Sequence, residues 1–103
     1  MRLIKELSEY VEDELESAEN YARNACVYKE DHPELAETFY NISLEEMRHV
    51  DLLHKRVVDL IEKYRKEHGD PPAAMLAVYD FLHKRDIEWA NEIRSYQNRY
   101  REM

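Results

Sequence analysis

Within the run Glu45-Glu46-Met47-Arg48-His49, a carboxylate and an imidazole stand three residues apart, at Glu46 and His49. On a helix this spacing puts both on one face, one turn apart and within reach of a single ion. One such pair is about what chance supplies in a chain this rich in Glu, so its setting carries the weight. Phe39, Ile42, Glu46, His49 and Leu53 step by three and four residues, and the pair interrupts an otherwise apolar seam. A charge turned toward a core is costly unless it is paired or coordinates a metal. The plain alternative is a solvated helix face that carries one acid and one histidine.

A second interruption lies upstream. Ile4, Leu7, Val11, Glu14, Ala18, Tyr21, Ala25 and Tyr28 alternate the same steps, and Glu14 is the one charged member. Ser17 and Ala18, about one turn later, are small enough to leave room beside it. A sustained 3.5-residue period signals bundle-like, supercoiled packing. Here too there is a plain alternative, in which Glu14 sits at the seam margin and its carboxylate snorkels to water.

The elements that must position these residues are marked by two breaks. Asp31-His32-Pro33 is a helix start, with Pro33 at the first helical position and Glu34 in the first turn. Gly69-Asp70-Pro71-Pro72 is a stop and a restart, with Gly69 as C-cap and Asp70 as the next N-cap. The spacing predicts three helices, about 2–30, 33–68 and 71–101, in one domain over 1–103. With helices 1 and 2 folded as an antiparallel hairpin about residue 31 or 32, Glu14 and His49 each lie about 17 residues from the turn. At 1.5 Å per residue that is about 26 Å, with Glu46 one turn closer. Glu14, Glu46 and His49 are therefore expected at one level of the hairpin.

Composition sets the bounds. The chain has 103 residues, 44% hydrophobic and 37% charged, with one Gly, and suits an all-α protein. No long uncharged apolar run is present, so no membrane span is expected. Arg2, Lys5 and Glu6 break any early apolar stretch, which argues against a signal peptide and for a cytoplasmic location. Cys26 is the one cysteine and is read as a packing residue. A net charge of −8 disfavours nucleic acid as a partner and suits a protein that attracts cations.

Two Glu and one His from one hairpin are half the donor set of a carboxylate-bridged di-metal bundle, which takes a Glu from each of two helices and a Glu-x-x-His from each of two more. A two-fold dimer would supply the other half. In Glu14 with Tyr21 seven residues later, Pro33-Glu34-Leu35, and Glu45-Glu46-Met47-Arg48-His49, the chain resembles the ferritin-like superfamily, and within it the short half-ferritins called encapsulated ferritins. The resemblance spans about residues 10–53. It implies a four-helix bundle completed by dimerisation, and a di-iron centre shared across the dimer interface, with Glu14, Glu46 and His49 as iron ligands and as the catalytic set of a ferroxidase serving iron storage or detoxification. It also implies Tyr21 as the tyrosine near the site. The turn between helices is about two residues longer than in the family, so Glu16 stands as an alternative helix-1 ligand. Two long helices and a third make a thin core for a monomer, and the seams run the full helix length, so a homodimer at least, or a ring of dimers, is expected. An encapsulin shell is the further partner the resemblance suggests, although Asn98-Arg99-Tyr100-Arg101-Glu102-Met103 does not match the apolar tail peptide of such cargo.

The third helix carries an apolar stripe, Leu76, Tyr79, Leu82, Trp89, Ile93, Tyr96 and Tyr100, which suits packing on the hairpin. Asp80-x-x-His83 and Asp51-x-x-His54 are further ligand-type pairs, but both lie off the regular seams and read as surface pairs. Two functional readings remain open: an oxygen- or peroxide-dependent ferroxidase, for which carboxylates and imidazole suit iron though other divalent metals fit, and a non-catalytic metal-stabilised bundle or interaction module.

Overall fold

The computed structural model describes residues 2–103 and places nearly all of them in three helices: α1 (Arg2–Tyr28), α2 (Pro33–His68) and α3 (Ala73–Glu102). The expected all-α class and the count of three helices hold, and no described residue is in a strand. Among the described residues no helix is long and apolar enough to cross a membrane.

The breaks fall where the sequence marks them, with small shifts. Helix α1 ends at Tyr28, and Lys29–Asp31 form a turn closed by His32 N–H donating to Tyr28 O at 2.8 Å. Pro33 opens α2 as expected, because its missing N–H is one the first turn would leave unpaired anyway. At the far end Gly69 adopts φ 80°, a conformation a Cβ disfavours, and its N–H donates to Arg65 O. The restart differs from expectation. Asp70 does not cap α3 and Pro71 does not open it; Pro72 takes the N-cap position with φ −52° and ψ 142°, and the helix begins at Ala73. The reason is steric: a proline pushes the residue before it out of the helical region, so consecutive prolines stay extended.

The order is up, down, up. Helix α2 runs antiparallel to α1, and α3 returns parallel to α1. Their register is fixed by a ladder of contacts from α1 to α3: Glu12 to Arg85, Glu19 Oε2 accepting from Trp89 Nε1 at 2.7 Å, Cys26 Sγ donating to Tyr96 O at 3.3 Å, and Lys29 Nζ donating to Met103 O at 3.0 Å. Burial pushes the Cys26 thiol above its ordinary pKa, against the opposing charges of Arg99 and Lys29, which fits a packed rather than a reactive cysteine. The 36 residues of α2 would span about 54 Å, and the molecule is 55 Å long and 18 × 17 Å across.

The core lies where three helices meet. It joins Val11, Leu15, Ala18 and Ala22 of α1, Met47 and Val50 of α2, and Ala90 and Ile93 of α3, with Leu53, Trp89 and Tyr96 packed against it. The stripe expected on α3 therefore faces the hairpin. One buried polar link crosses from α2 to α3, Gln97 Nε2 donating to Ser43 Oγ at 3.1 Å. On α1 the buried stripe is turned by about one residue from the expected seam. Leu15 and Ala22 are fully buried, whereas Glu14 and Tyr21 are only half-buried. On α2 the buried row is Ala36, Ser43, Met47, Val50, Val57 and Ile61, and Phe39, Ile42, Glu46, His49 and Leu53 flank it. The cause is α3: a third helix seated on one side of the hairpin draws the centre of burial toward itself. The charged positions thus stand beside the core, so the desolvation expected of a seam residue is only partly imposed on them.

Candidate metal centre

Glu14 lies in the middle of α1, where the good helix formers Glu12, Glu14, Leu15 and Glu16 outweigh Asp13, and Leu15 goes into the core and leaves its neighbour at the margin. Glu46 and His49 lie in the middle of α2 on either side of Met47, which is buried at 8% exposure. Burial of Met47 and Val50 fixes the rotation of α2, and that rotation turns Glu46 and His49 together toward α1.

The three side chains converge. One ligand atom from each of Glu14, Glu46 and His49 lies within 4.8 Å of the other two. His49 Nδ1 is 3.4 Å from Glu14 Oε2, long for an N–H···O bond. Donors about 2.0–2.2 Å from one ion stand at most about 4.4 Å apart, so small side-chain rotations would let all three reach it. The set is half open: the side chains of His49 and Glu14 are 43% and 29% exposed.

The electrostatics match that geometry. The Glu46 carboxyl is pushed up to about 7, chiefly because it shares a hydrogen bond with Glu14, then because of burial and the Glu14 charge, with a small further push from Glu45 and an opposing pull from His49. Beside the Glu14 charge, the Glu46 carboxyl keeps its proton up to about 7. A cation there removes the same repulsion and is the natural competitor for that proton.

Glu16 is exposed and takes no part in this cluster. Tyr21 is half-buried, with its ring centroid 5.7 Å from that of Phe39. Asp51 and Asp80 are exposed, and neither His54 nor His83 joins the cluster. Those two histidines meet each other instead, Nε2 to Nδ1 at 3.0 Å, a contact the sequence reading missed. A register count about the Gly69–Pro72 turn places them within about one helical turn of each other and is the signal that could have found them.

An apolar groove of about 680 Å³ lies elsewhere, lined by Ile4, Ile61, Leu76 and Leu82 among others, and none of the three clustered side chains lines it. The Glu–Glu–His set is thus partly open at the side of the bundle and separate from that groove. Comparisons of the chain with protein-family models, with curated proteins and with solved structures return no match.

Proposed function

We propose that Glu14, Glu46 and His49 are half of a di-iron ferroxidase site, completed by the same three residues of a second chain in a ferritin-like dimer. The observation that carries this reading is the convergence of two carboxylates and one imidazole, from two helices, within 4.8 Å. That donor set suits Fe(II) and Fe(III): the carboxylates favour the charge gained on oxidation, and the imidazole adds affinity. Two copies supply four carboxylates and two imidazoles, the complement a di-metal bundle uses.

Assembly is supported by what surrounds the site. Leu3, Tyr10 and Tyr28 stand eleven, four and fourteen residues from Glu14, on the same face of α1, and Leu35 stands eleven residues from Glu46 on α2. All four are exposed, Leu3 and Tyr10 by more than half. An apolar rim about a half-site of charged ligands is what a second copy would cover.

In the dimer the carboxylates would hold two Fe(II) ions as substrates. Each gives up one electron. Dioxygen takes up the two electrons and two protons to become hydrogen peroxide, or hydrogen peroxide takes them to become two waters. Glu46 releases its proton on binding, and His49 fixes one ion against α2. The oxidised iron would pass to storage or be rendered harmless.

The test is anaerobic loading with Fe(II), addition of oxygen, and simultaneous measurement of oxygen uptake and sedimentation for wild type and His49→Ala. Wild type should consume oxygen in proportion to Fe(II) and sediment as a dimer or larger with metal. Wild-type rates and metal-linked association in His49→Ala would sink the shared-site mechanism. Binding and association without oxygen uptake would leave a metal-stabilised bundle.

A further inference from the structure

A second set of ligand-type side chains joins α2 to α3. His54 Nε2 and His83 Nδ1 stand 3.0 Å apart, with the rings within 19° of parallel and their centroids 4.7 Å apart. Tyr79, one turn before His83 on α3, stacks on its ring at 10° with centroids 5.8 Å apart and holds the imidazole in place. Both histidines are half-buried.

In the absence of an ion this contact is a hydrogen bond between the two rings, and two features suit it to an ion as well. First, the nitrogen spacing is that of two ligands on one ion. Imidazole nitrogens about 2.0–2.1 Å from a single metal, at angles of about 90–109°, lie about 2.8–3.4 Å apart. Second, the surroundings are acidic. Asp51 stands one turn before His54 on α2, and Asp86 one turn after His83 on α3. Asp86 Oδ1 is buried and has no hydrogen-bond partner among the described residues. The nearest cation, Arg85, lies 3.6 Å from that oxygen and is held by Glu12 of α1.

We propose that His54 and His83 form a binding site for a divalent transition metal of the zinc, nickel or cobalt kind, which clasps α3 to α2. The two imidazoles would hold the ion, and Asp86, three residues after His83, would offset its charge, the part carboxylates commonly play around such sites. The donor set differs in kind from Glu14–Glu46–His49: nitrogen-rich, it favours zinc, nickel and copper over the hard ions that oxygen ligands take. The mechanical consequence follows from the fold. The first half of α3 exposes Val78 at 60% and Phe81 at 68%, so it is thinly packed, and an ion between His54 and His83 ties it to α2.

The site is independent of the iron reading and is tested with the other cluster disabled. Zn(II) is titrated into His49→Ala in competition with a chromophoric chelator, and Co(II) is followed by its visible absorption. The same is done for His49→Ala combined with His83→Ala, with His54→Ala and with His83→Gln. The His83→Gln form keeps a polar side chain beside Tyr79, so the fold is preserved if the alanine form unfolds. Expected is one equivalent of zinc per chain in His49→Ala, with affinity weakened by about tenfold or more in each double variant, since a direct ligand is worth at least what an outer partner is. Zinc should also slow amide exchange in residues 73–88 of His49→Ala and not of the double variants. Equal zinc affinity in His49→Ala and His49→Ala/His83→Gln, or no saturable binding to His49→Ala, would overturn the proposal.

Discussion

His49 Nδ1 stands 3.4 Å from Glu14 Oε2, across the contact between two helices and separated by 35 residues of chain. Glu46, one turn from His49, brings a carboxylate oxygen within 4.8 Å of the same Glu14, which is the chief cause of its raised pKa. Glu14 is thus the hub to which both α2 groups turn, and its removal should do more than subtract one donor. Glu14→Ala and Glu46→Ala should each abolish rapid Fe(II) oxidation and the metal dependence of assembly together, because one substitution removes two ligands from a shared site. Asp80→Ala should leave both at wild-type levels. Stopped-flow iron oxidation beside sedimentation of the same samples checks this. By linkage, whatever factor metal adds to dimer affinity, dimerisation adds to metal affinity.

The raised Glu46 carboxyl makes the metal-free protein pH-sensitive. Its pKa is about 7 in the folded chain against an ordinary 4.5. The folded state therefore binds the extra proton between those values, and the stability that proton contributes is complete below about 4.5 and lost as pH rises through about 7. Chelator-treated wild type should lose stability across that window, and Glu46→Gln, which cannot ionise, should not share this loss. Urea midpoints measured from pH 4.5 to 8 decide it.

Leu15 and Ile93 are fully buried at the junction of the three helices. Leu15→Ala should cost about 2–5 kcal/mol, the range for a large-to-small change in a packed core. Leu7→Ala, at a half-buried position near the helix end, should cost clearly less. Thermal melts followed by circular dichroism separate the two.

Gln97 is 4% exposed and donates to Ser43 Oγ, which itself donates to Tyr40 O at 2.6 Å. Replacing Gln97 by Leu leaves Ser43 without that donor inside the bundle and should cost about 1–3 kcal/mol. Changing Ser43 to Ala as well should recover part of the loss, because no unpaired group then remains. A double-mutant cycle in urea reads the coupling.

The apolar rim bears on assembly alone. Leu35→Lys alters a residue that is 44% exposed, so the isolated chain should fold unchanged by circular dichroism. Metal-linked association should nevertheless weaken, because a charge would be buried where the second copy is expected to sit. Unchanged association by sedimentation would move the interface to another face.

Much of this protein is legible in local sequence. The helix breaks follow from Pro33, Gly69 and Pro71-Pro72, whose backbone limits act within a residue or two of themselves. The common level of Glu14, Glu46 and His49 follows from a rise per residue and one turn position, both properties of the chain alone. What periodicity could not give is rotation. A 3.6-residue repeat marks a broad apolar stripe, and its centre is chosen by whatever packs on it. Helix α3 made that choice, sending Leu15 and Ala22 inward and leaving Glu14 and Tyr21 at the margin. The meeting of His54 with His83 is of the same kind. It depends on the path of the extended Gly69–Pro72 link and on the seating of α3 against α1, and only the packing of all three helices decides these.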